Sequence, residues 1–149
     1  MYGDPEAIRR LGGELRTQAR RVEATADQLL AEATAVEWHG VAASAMRGHV
    51  HTQAVALRRV ATAHRQAAAA LEHHADRVAY LLAMIARIEH TVMTAIASAK
   101  RRIAKLIDGV IDAVTPLEEL LDGFVPPPPG DRRWLDVRIP GLPLPVVLG

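Results

Sequence analysis

Glu37-Trp38-His39-Gly40 interrupts a helical pattern that runs on both sides of it. Gly40 can adopt a positive φ and end a helix, and Trp38 places a large ring beside the turn. Upstream, Ile8, Leu15, Val22, Leu29 and Val36 recur every seven residues, with Leu11, Ala19, Ala26 and Ala33 at the intervening steps. Such a stripe is a packing seam, and Arg9, Arg16, Arg20, Glu23 and Asp27 fall largely outside it. Asp4-Pro5-Glu6 supplies an N-cap, a first-position proline and an acid at the positive dipole end. The spacing predicts one helix over 5–37, with Gly12-Gly13 allowing close approach of a neighbour or fraying.

Downstream the stripe resumes. Val50, Leu57, His64, Leu71, Val78, Ile85 and Val92 form one seven-residue row, and Met46, Gln53, Val60, Ala67, His74, Leu81 and Ile88 a companion row. Two seams joined by a tight glycine turn predict an all-α fold built on an antiparallel two-helix hairpin. The lengths do not match. A first helix of roughly 33 residues spans about 50 Å and covers its partner only from 41 to around 78. The pattern continues through Leu82, Ile85, Ile88, Val92 and Ile96 to Leu106 and Val110. Those five residues from Leu82 to Ile96 are the candidate partner-binding face, to be met by the folded-back C-terminal segment, a second copy or another protein. A single helix reaching residue 113 would exceed about 100 Å, so a bend or break is expected. The domain reading is a hairpin at 3–90, a helical extension at 91–123 and a Pro-rich tail at 124–149.

Composition narrows the function classes. Of 149 residues half are hydrophobic but only 3% aromatic, and 27 are alanine, a strong helix former and poor strand residue. An all-β fold and a bulky-cored α/β enzyme are disfavoured. Zero Cys excludes a disulfide scaffold, a thiolate zinc site and a cysteine nucleophile. A net charge of +1 gives no global reason to expect nucleic acid. The N-terminus, Met1-Tyr2-Gly3-Asp4-Pro5-Glu6, has no basic or apolar targeting region, and the apolar stretch 78–99 is interrupted by Arg87, Glu89 and His90. A soluble chain is expected, exported, if at all, by a signal within the folded protein or its tail.

Trp38-His39-Gly40 between two helical stripes, followed by Val41-Ala42-Ala43-Ser44-Ala45-Met46, resembles the WXG-motif family of small hairpin proteins. These are substrates and partners of ESX, or type VII, secretion. The opening Gly3-Asp4-Pro5-Glu6 is similar to the start of actinobacterial type VII signal domains. The resemblance covers about residues 3–90. It implies that Trp38 and Gly40 form the inter-helix turn, which in the family helps present the secretion signal on a folded dimer. It further implies a protein partner, in a homo- or heterodimer or as a larger type VII effector or secretion component, and a secreted or cell-surface location without a cleaved signal peptide. One departure stands out. Family members or their partners often carry a Tyr followed four residues later by an acid, whereas Tyr80 is followed at that distance by Met84. Either a partner supplies the motif, or the chain is a non-exported cytosolic accessory or immunity-type binder.

Other residues also suit plainer roles. Trp38 suits a packing plug at the turn as well as a partner contact. The seven histidines contain no i,i+3 or i,i+4 pair, so no metal site is expected. His64 and His74 lie in the seam rows, where burial would make them neutral and acidification would loosen the pairing. Residues 38–107 hold ten Lys/Arg against three Asp/Glu, but Lys100, Arg101, Arg102 and Lys105 have no aromatic neighbours. A solvated face, or pairing with Asp108, Asp112, Glu118, Glu119 and Asp122, fits them better than nucleic acid; an anionic membrane surface is the functional alternative. No nucleophile elbow, phosphate loop or HExxH is present, so neither an enzyme nor a cofactor is expected. In the tail, Val125-Pro126-Pro127-Pro128-Pro129-Gly130 is a stiff spacer, followed by the apolar Trp134, Leu135, Val137, Ile139, Leu142 and Leu144. That segment either wraps onto the surplus helix face or serves as a recognition peptide.

Overall fold

The computed structural model describes residues 3–147. They form three α-helices, α1 (Pro5–Ala35), α2 (Val41–Ile107) and α3 (Pro116–Asp122), then a 3-10 turn at Arg132–Asp136, with no strand among the described residues. The all-α hairpin expected from the sequence is therefore present. Two compact units, 4–76 and 77–147, divide the described residues inside α2.

In the first unit, Asp4 caps α1, its carboxylate accepting the Glu6 N–H at 2.9 Å. The helix ends at Ala35, where Val36 turns extended (φ −69°, ψ 117°). Gly40 does not end α1, as expected of it, but precedes α2. Its φ is +106°, and its carbonyl accepts the Ser44 N–H at 3.0 Å as α2 begins.

The seam is made of small residues. Gly12, Ala19, Ala26 and Ala33 of α1 are buried, as are Ala54, Ala61, Ala68 and Ala75 of α2, both rows recurring every seven residues. A Cβ at Gly12 would lie 3.4 Å from the Ala68 carbonyl oxygen, so the two backbones approach closely here. The larger residues Ile8, Leu15, Val22, Leu29, Val50, Leu57 and Leu71 flank this line half-buried. Over residues 53–74 the companion row expected in α2 is one residue out of register, whereas its other members are covered, Met46 and Leu81 half-buried and Ile88 buried. Gln53, Val60, Ala67 and His74 are exposed, because one step turns a helix by about 100°. Alanines on every face left hydrophobicity unable to separate the rows.

Four ion pairs edge the seam: Arg9–Asp76 at 3.0 Å, Arg16–Glu72, Glu23–Arg65, and Asp27–Arg58 at 2.7 Å. As the α1 partner climbs from 9 to 27, the α2 partner falls from 76 to 58, which is antiparallel register.

Helix α2 runs 67 residues without the expected break. It contains no proline and only Gly48 as a glycine, so the usual causes of a kink are missing. Its end comes at Gly109 (φ +71°), with Val110 N–H donating to Lys105 O at 2.8 Å and Gly109 N–H to Leu106 O at 3.1 Å. This is a Schellman stop, reached before the apolar pattern ends at Val110.

The second unit has large side chains. Ile85, Ile88, Val92, Ile96 and Ala99 of α2 pack with Leu121, Trp134, Val137 and Ile139 of the C-terminal segment. Thr115 and Glu118 form a reciprocal capping box at α3. Glu118 also pairs with Arg102 of α2. The Trp134 indole N–H donates to the Pro128 carbonyl at 2.9 Å, and the Gly130 N–H donates to Glu89 at 3.0 Å.

Candidate functional site

The hairpin turn is held by a residue the sequence reading overlooked. Helix α1 has no basic residue in its last turn to meet its free carbonyls. Arg47, one and a half turns into α2, reaches back to them. Its Nε donates to Ala33 O at 3.2 Å, and its Nη2 to Val36 O at 2.8 Å and Trp38 O at 2.9 Å. One guanidinium thus closes the end of α1 and fixes the connection. That unmet helix end was the signal that could have pointed to it.

On this fixed turn Trp38 is 50% exposed, so it is not the buried plug that a purely structural role would require. Val36 and Val41 beside it are also exposed. The turn presents an indole and two branched apolar side chains to solvent.

The face expected to await a partner is occupied. Ile85, Ile88, Val92 and Ile96 are buried under the chain's own C-terminal segment, and Leu82 is half-buried. Of the three occupants considered, the folded-back tail is the one in place, because Trp134, Val137 and Ile139 supply the matching apolar surface. The two histidines of the seam rows differ in their surroundings. His74 is exposed, and His64 is half-buried with Nδ1 2.8 Å from the Val60 carbonyl of its own helix. Neither lies within the alanine contact line itself.

Within the basic cluster Arg102 is paired with Glu118, while Lys100, Arg101 and Lys105 are exposed. By length and composition alone, α2 includes one stretch able to cross a membrane. The same helix carries the isoleucines sequestered in the second core. Among the described residues no polar side chain is buried, and no three His, Asp or Glu converge on a possible metal position. A surface depression of about 650 Å³ is lined by Arg10, Gly13, Glu14, Thr17, Gln18 and Arg21, all from α1. One helix face cannot enclose a small ligand.

No family model, curated protein or solved structure matches this chain. The features that bear on function are therefore its own surfaces: the exposed turn, and a C-terminal segment fixed onto α2.

Proposed function

We propose that this protein is a type VII secretion-associated substrate or pairing partner that works by protein–protein contact through its 4–76 hairpin. One observation carries the reading: Trp38, half-exposed beside Gly40 at φ +106°, stands on a turn between two antiparallel helices. The WXG-like sequence puts the same residues at the turn that helps present a secretion signal in the family it resembles. An exposed indole on a braced turn suits a contact made with little conformational entropy to lose. The partner is a second protein, a larger effector or a secretion component, that supplies the missing acidic motif. No cofactor or catalytic step enters this reading.

The test is fractionation of cells with and without an active type VII system. The chain is expected outside the cytoplasm only where the system works, and Trp38→Ala is expected to reduce export while the hairpin still folds. Retention in the cytoplasm under both conditions would overturn export. It would favour the second reading, a cytosolic accessory or immunity-type binder. That reading has its own support, since the position four residues after Tyr80 holds Met84, which is buried and not acidic.

A further inference from the structure

Residues 125–129 form an exposed strut whose shape is set before anything binds it. Four consecutive prolines fix φ near −65° and remove four backbone donors. Such a run adopts the polyproline II helix, with three residues per turn. Val125 is 85% exposed, and Pro128, one turn further on, is exposed with it, as is Pro129, while Pro126 and Pro127 rest half-buried. Val125 and Pro128 therefore make one outward ridge.

Both ends of the strut are clamped. Phe124 packs against the second core, and its N–H donates to Leu121 O at 3.3 Å. At the other end the Pro128 carbonyl accepts from Asp131 N–H at 3.1 Å and from the buried Trp134 indole, while Gly130 N–H is held by Glu89. The carbonyls of Val125, Pro126, Pro127 and Pro129 accept no hydrogen bond from the described residues. Just beyond lies a cation. Arg133 is engaged by Asp131, but Arg132 is exposed and in no ion pair among the described residues.

We propose that this ridge is a docking site for a protein domain that reads polyproline helices, one with an aromatic-lined groove and an acidic rim. Apolar rings of such a groove pack against the ridge, its indole or phenol donors meet the open carbonyls, and its acids meet Arg132. A flexible proline peptide loses entropy on docking, and this strut, already ordered by its clamps, loses less. The occupant is a folded domain and not a lipid surface, because the ridge offers acceptor carbonyls and Arg132, while the neighbouring Arg133 is already neutralised by Asp131.

The test uses the full chain and three aromatic-groove probes: an SH3 domain, a WW domain and a profilin. Each is isotope-labelled and titrated with unlabelled chain by NMR. The expected result is shift changes confined to the groove of at least one probe, weakened tenfold or more by Val125→Glu and several-fold by Arg132→Glu. Both substituted side chains point to solvent, and unchanged near-UV dichroism of Trp134 confirms the fold in each variant. Silence of all three probes overturns the proposal. So does binding that both variants leave unchanged.

Discussion

Arg47 concentrates an unusual amount of structural work in one side chain. Three carbonyls from the end of α1 and the following turn converge on its guanidinium. A lysine offers one point charge where this geometry uses a planar fork. Arg47→Met should destabilise the hairpin by about 1.5–3 kcal/mol, the usual worth of a hydrogen bond to a charged group. Arg47→Lys should recover only part of that. Urea unfolding followed by circular dichroism measures both, and a variant as stable as the parent would remove Arg47 from its assigned role. Because the same side chain holds the Trp38 carbonyl, its loss should also loosen the exposed indole on which the proposed partner contact depends.

At the scale of the element, the α1–α2 pair depends on how closely two backbones can approach. Gly12 and Gly13 are adjacent but not equivalent. A methyl group at Gly13 meets open space, and one at Gly12 meets the Ala68 carbonyl at 3.4 Å. Gly13→Ala should therefore gain the helix-propensity difference, about 0.5–1 kcal/mol. Gly12→Ala should gain less, since the neighbouring backbone must give way. Thermal melts of the two variants compare them directly, and equal gains would mean that the seam is looser than its geometry implies.

The ion pairs edging the seam add a pH dependence. The Arg16 hydrogen bond holds the Glu72 carboxyl below its ordinary 4.5, outweighing partial burial and nearby Asp76, which push it up. A depressed folded-state value means the contribution is complete above that ordinary value. It fades as pH falls through the lowered one. About two-fifths of each side chain is open to water, so solvent screening keeps the effect small. Glu72→Gln should flatten the acid limb of a stability-against-pH curve below about pH 4.5; an unchanged limb would exclude this pair as its source. In the tail, the Arg133 side chain and backbone N–H lower Asp131 from 3.8 to about 2, so its share disappears only in stronger acid.

For the molecule as a whole, the two units are held by different means. The fully buried residues of 4–76 are alanines and one glycine, whereas those of 77–147 include Ile85, Ile88, Val92 and Trp134. Free energy of burial scales with the apolar area removed from water, and a methyl side chain removes little. Hydrogen exchange should thus be faster over α1 than over residues 85–99, with the Trp134 segment among the slowest parts of the tail. Equal protection throughout would show that the chain unfolds as one cooperative unit.

The helices and their pairing were legible in the order of the residues. A cap at Asp4, a sustained seven-residue period and a glycine turn leave little else for such a chain to do, because local propensity and amphipathic spacing act within a few residues. Its alanines, on every face of α2, hid which row is the contact line. That choice rests on backbone approach, which only the packed pair reveals. The reach of Arg47 to α1 was likewise hidden, as was the choice of Gly109 over the later Thr115-Pro116 as the stop. Each depends on a hydrogen-bond partner or backbone angle that composition does not encode. The surplus face of α2 was legible as an apolar surface needing cover, but not its occupant. Tail, second copy and foreign partner all satisfy the same hydrophobic demand. Folding selects the tail, because Trp134 is buried in one core with Ile85, Ile88 and Val92 and its N–H is held by the Pro128 carbonyl.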